Sequence, residues 1–185
     1  MSRVRGCAPR SGPPVSLRSL GSVNPRMEPN QAIALRSLLE SQQVAALATL
    51  HEGEPAVSMV PYALLPDGQG FVIHVSRLAA HTADMLTNLA VGLLVTAPLV
   101  ASTSPQGIPR ASIQGNARQR ANDSPAYSQA RSLYVSRFPQ SEEMFTFSDF
   151  SLFVIAVRSV RFVGGFAQAS SVTAGQFASI MGGTS

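Results

Sequence analysis

The chain has 185 residues, 45% of them apolar, and a formal charge of +4, which is enough length and apolar content for one domain with a proper core. The charge is uneven: Arg3, Arg5, Arg10, Arg18 and Arg26 precede Met27 with no acidic residue among them, and from Met27 onward nine Arg face ten Asp and Glu, a net of −1. A near-neutral body argues against a nucleic-acid face, the lack of any Lys excludes a pyridoxal phosphate Schiff base or a Walker phosphate loop, and the single Cys7 excludes an intrachain disulfide, a C-x-x-C motif or a thiolate zinc site.

Residues 1–28 are rich in Arg, Ser, Gly and Pro, a composition that cannot bury enough apolar area to offset chain entropy, so a disordered tail is expected. The lack of acids is also a transit-peptide trait, although Pro9, Pro13 and Pro14 interrupt the amphipathic helix such a peptide needs. An upstream extension before a true start at Met27 reads equally well. No apolar run reaches the roughly 18 residues of a membrane span. A soluble, cytoplasmic protein without membrane or nucleic-acid partners is expected.

The domain is expected over residues 29–170. Glu28-Pro29-Asn30 provides a helix start, and Ile33, Leu35, Leu38 and Leu39 form an apolar stripe up to Ser41. Val44 to Leu50 reads as a buried strand, His51-Glu52-Gly53-Glu54 as a compact turn, and Pro55 to Leu65 as a second strand. Pro66-Asp67-Gly68 makes the next turn. A third strand is predicted over Phe71–Val75, a helix over Leu78–Asn88 and a fourth strand over Val91–Thr96.

After a small-residue loop from Pro98 to Gly107, Arg110 to Arg120 reads as a long bent strand with a bulge at Gly115. A helix from Ser124 to Arg137 stops at Phe138-Pro139. Ser151 to Val163 alternates Phe153, Ile155 and Val157 with other residues and ends at Gly164-Gly165, and residues 171–185 are left as a flexible tail. The reading is a mainly β (α+β) fold: a six-stranded antiparallel split β-barrel with two to three peripheral helices.

The segment FVIHVSRLAAHTADMLTNLAVGLLVT, Phe71 to Thr96, packs strand, polar turn, helix and strand together. Its turn and first helical turn hold Ser76, Arg77, His81 and Thr82 beside the free backbone N–H groups of a helix start, a pattern suited to an anion such as the phosphate of a cofactor. The order of elements resembles the FMN-binding split barrel of the pyridoxamine 5′-phosphate oxidase-like superfamily, over roughly Asn30 to Gln168. Within it, GEPAVSMVPYALLPDGQGFVIHVSRLAAHTADMLTN and VRFVGGFAQA resemble the branch of haem-utilisation proteins and CREG-like barrels.

The resemblance implies a homodimer with FMN in grooves between two barrels. It implies that Ser76, His81 and Thr82 hold the phosphate, with Arg77 beside them in the same polar turn, and that Arg110 stands close to where the oxidases set Gln against the flavin, with Gln114 on the same face of the long strand; the hydroxyl of Ser58 is a further candidate for the ring edge. The match is partial. Oxidases of the family place Ser and Lys where Ala79 and His81 stand, the second strand has no Arg near Val57 or Ser58, and nothing after Gly165 supplies the segment that holds pyridoxamine phosphate. A vitamin B6 oxidase is therefore not expected. Haem-utilisation relatives commonly carry a haem-ligating His in a further domain, and no His follows His81 here.

The expected function is an FMN-dependent oxidoreductase acting on a small molecule, in which flavin supplies the redox chemistry. Haem binding, with His74 or His81 as ligand, and a non-catalytic barrel that binds a partner remain alternatives. No metal cluster and no Ser-His-Asp order is apparent. Each candidate also has a plain reading: Arg77 and Arg110 pairing with surface carboxylates such as Asp84, His74 lying in a barrel wall or dimer seam, and the hydroxyls of Ser58, Tyr62 and Ser112 facing outward without a ligand.

Overall fold

The computed structural model describes residues 27–66, 68–101, 104–165 and 168–182. The expected disordered head up to Arg26, Asp67 of the expected turn and Phe166 of the glycine motif lie outside the described residues. Helix α1 (Pro29–Ser41) buries Leu35, Leu38 and Leu39 and leaves Ile33 exposed. It leads into β1 (Val44–His51), which pairs with β2 (Glu54–Pro61) across a two-residue turn. Both central residues of that turn have positive φ, Glu52 at 51° and Gly53 at 90°, the backbone of the hairpin turn that matches strand twist.

The second strand is shorter than expected. It stops at Pro61, which has no N–H to donate, and Tyr62 turns into the core with its N–H on Gln43 O and its hydroxyl on Leu39 O at 2.8 Å. Ala63–Leu64 then forms a separate strand, β3, which pairs with β4 (Gly70–Ser76). Helix α2 (Ala80–Thr87) and β5 (Ala90–Thr96) follow. After them come β6 (Arg110–Gln119), α3 (Pro125–Arg137), a 3-10 turn over Pro139–Thr146 and the long β7 (Phe150–Gly165).

All pairings are antiparallel, in the order β2-β1-β5-β6-β7-β4-β3. One edge of β7 is shared: β4 covers Phe150 to Ala156, and β8 (Gln168–Thr173) covers Ser159 to Gly165. The expected bulge is present, with the register shifting between Gln114 and Gly115. A Cβ on Gly115 would lie 2.7 Å from Ala156 O, so the backbones approach more closely there than any side chain permits.

Among the described residues eight strands stand in place of the six expected, because the second strand divides and β8 was not anticipated. Residues 171–182 form no flexible tail: β8 continues into α4 (Ala174–Gly182), which buries Phe177 and Met181 in the main core beside Leu35, Leu47, Phe71 and Phe153. Two apolar layers result. The barrel interior is one; the other lies between α3 and the outer face of β4 and β7, built from Val72, Leu152, Val154, Ala130, Tyr134 and Phe138. No helix among the described residues is long and apolar enough to cross a membrane.

Candidate functional site

Strand direction decides which candidates meet. Successive pairings alternate from β1 through β5, β6 and β7 to β4, so β1 and β4 run the same way and His51 and Ser76 end at one mouth of the barrel. Helix α2 starts there and packs along β1. Arg110 begins β6 and pairs with Val163, while Ser76 pairs with Phe150. The phosphate candidates and Arg110 thus occupy opposite ends of β7, and one chain does not bring them to one ligand.

At the α2 mouth the chain satisfies most of its own donors. Ser76 Oγ accepts from Leu78 N at 3.1 Å and reaches Asp149 Oδ2 at 3.4 Å. Arg77 donates its backbone N–H to Asp149 O at 2.6 Å and a guanidinium N–H to Ser148 O at 2.5 Å; it uses backbone carbonyls in place of the expected carboxylate, Asp84. Thr82 is buried and its hydroxyl donates to Ser76 O at 2.7 Å, closing the turn. His81 differs, because its buried Nε2 has no partner, and burial holds its pKa below the ordinary value against the opposing charge of Asp84. The first turn of α2 starts from Ala79 without a side-chain cap, leaving backbone donors for an anion.

Asp84 lies inside this mouth, not on the surface. Its Oδ2 accepts from Thr49 Oγ1 and its Oδ1 from His51 Nδ1, both at 2.7 Å. The hydrogen bonds from His51 and Thr49 hold the Asp84 carboxyl below its usual range, and the same bond to Asp84 raises His51. Asp84 also acts electrostatically on His81, so one buried carboxylate influences two imidazoles. Sequence reasoning missed this cluster. The available signal was helical spacing on α2, which sets Thr82 and Met85 one turn apart with Asp84 beside them on its buried side.

The remaining candidates fall elsewhere. Ser58 and Tyr62, expected to point outward, point in: Ser58 Oγ is buried without a partner and Tyr62 is fully buried, with burial pushing its pKa up. His74 lies in the wall of the barrel, on β4, the first of its two expected places. It sits under α3, stacked on Phe145 at 3.8 Å with Tyr134 and Phe150 close by. Burial, aided by the charge of Arg131, brings its pKa down to about 4.

Gln114 and Arg110 share the outer face of β6 with exposed Ser112, as expected. Arg110 donates to Gln106 O and Ile108 O and lines a hollow of about 630 Å³ with Val44, Ala46, Met59 and Leu94.

The pyridoxamine 5′-phosphate oxidase family model matches residues 32–164. The chain belongs to that family. Among similar proteins, the non-canonical heme oxygenase HOZ, chloroplastic, of Arabidopsis thaliana is 33% identical over 147 residues, covering 78% of this chain and 43% of the relative. A heme binding protein from Mycobacterium smegmatis is 30% identical with a TM-score of 0.73, covering 83% of this chain and 62% of that one. HutZ, the heme storage protein from Vibrio cholerae, shares the fold at 21% identity and a TM-score of 0.63, over 72% of this chain and 91% of its own. The chain therefore spans less than half of the curated relative's length.

Proposed function

We propose that this protein binds haem at the barrel mouth where α2 begins. The observation that carries this reading is the state of the donors there. Ser76, Arg77 and Thr82 are engaged by the chain itself, while two imidazoles at the same mouth, His51 and His81, keep a ring nitrogen without a protein partner. Such nitrogens suit an iron-bearing ring better than a phosphate. The names heme oxygenase and heme binding protein of the relatives at 33% and 30% identity support the same reading. Adding ferric haem to the purified protein tests it: a Soret band at about 400 nm, sharpened and shifted from that of free haem, is expected, and an unshifted spectrum sinks the reading.

FMN is the second reading. The family match and the uncapped start of α2 favour it, with Arg110 and Gln114 reaching the flavin ring from a second copy. Flavin bands at about 370 and 450 nm that stay with the protein on gel filtration support FMN.

A homodimer fits both readings, since the two sets of candidates lie too far apart within one chain to share a ligand. The outer sheet face offers the surface. Met59, Ala46 and Leu94 form one cross-strand row, with Val57, Ala48 and Gly92 beside it, and Val57, Met59 and Leu94 are exposed. Met59→Glu is expected to convert a dimer to a monomer in sedimentation; a wild-type protein that sediments as a monomer removes the dimer from the proposal.

A further inference from the structure

We propose that His51 is the residue of this chain that ligates haem iron, with Asp84 as the positioning residue that presents its imidazole. The inference rests on the haem reading above and names its donor. His51 ends β1, and the turn at Glu52 and Gly53 sends the chain back into β2. Its Nδ1 faces Asp84 Oδ1 at 2.7 Å, and Thr49 Oγ1 occupies the other carboxylate oxygen at 2.7 Å.

A carboxylate only accepts, so Nδ1 carries the proton and the lone pair of the neutral ring lies on Nε2. That arrangement, one ring nitrogen donating to a buried carboxylate and the other left open, is how protein scaffolds orient a metal-ligating imidazole and raise its basicity. The His51 side chain is 51% exposed, whereas that of Asp84 is 5% exposed. The ligand is thus reachable and its support is not.

The other two histidines lack this combination. His74 is enclosed by Phe145, Tyr134 and Phe150, and no carboxylate hydrogen-bonds it among the described residues. His81 has a buried Nε2 without a partner, and no carboxylate hydrogen-bonds its ring among the described residues. Holding a tautomer through Thr49 and Asp84 serves a Lewis acid at Nε2; a hairpin strut alone does not require the open nitrogen.

The test uses the full chain titrated with ferric haem and followed by absorbance and resonance Raman. His51→Ala is expected to weaken haem binding by about 10-fold or more and to abolish the iron–histidine stretch of the reduced complex. Added imidazole should restore the absorbance spectrum. His51→Gln preserves a donor toward Asp84 without supplying an imidazole, and its expected result is the same loss. Asp84→Asn is expected to retain haem with a lower iron–histidine frequency, a change that a purely structural contact does not produce.

An unaltered iron–histidine band in both His51 variants overturns the ligand assignment while the haem reading stands. A wild-type protein that takes up no haem overturns the reading itself, and the assignment falls with it.

Discussion

Two histidines on opposite sides of one sheet are driven in opposite directions by their surroundings. Under α3, His74 is packed among aromatic rings with no hydrogen bond to Nδ1, and burial holds it neutral with a pKa down to about 4. At the junction of the β1–β2 hairpin with α2, His51 meets a carboxylate that raises it. One ring serves as an aromatic packing unit and the other as an oriented polar group. The difference comes from partners, since the residue type is the same.

The aromatic layer is the place where this contrast breaks most visibly. Tyr134 is 2% exposed and contacts His74, Phe138 and Phe145. Tyr134→Ala removes that wall and is expected to cost about 3–5 kcal/mol, measured by urea unfolding at pH 7.5. Loss of less than about 1 kcal/mol would mean that the layer collapses around the gap without needing the ring.

A smaller effect follows from the titration of His74. Its folded-state pKa of about 4 lies below the unfolded value of roughly 6.5, so the unfolded chain binds more protons in between. Its contribution is complete above about pH 6.5, falls as the pH drops through that window and levels off below about 4. The full difference is on the order of 3 kcal/mol. His74→Phe keeps the ring and removes the titration, so the stability gap between wild type and variant should change across this window; a constant gap refutes the shift.

Much of this fold is legible in the sequence. Alternation over Ser151–Val163 marks the strand that becomes β7, and Gly115 marks the register shift seen against it, because both signals are local. The polar turn from Ser76 to Thr82 is legible for the same reason, although its residues prove to bond one another. Tyr62 breaks the second strand through contacts with Leu39 and Gln43, and Phe177 and Met181 anchor α4 against a distant α1 and β7. Those contacts leave no local pattern to read. The pairing of His51 with Asp84 spans 33 residues, and neither residue carries a motif that announces the other.

The His51 side of the contrast is sharpened by removing charge and hydrogen bonds separately. Because His51 is raised above its unfolded value of about 6.5, its contribution to stability is complete below that pH and is lost as the pH rises through the folded value, the reverse of His74. Asp84→Asn removes the carboxylate charge, so the NMR titration midpoint of the His51 ring should return toward 6.5 and the alkaline decline in stability should shrink. Thr49→Val takes only the hydroxyl from Oδ2 and leaves the charge and the Nδ1 contact in place, so the midpoint should stay above 6.5. Equal midpoints in the two variants would mean that the orientation set by Thr49, rather than the charge of Asp84, dominates the environment of His51.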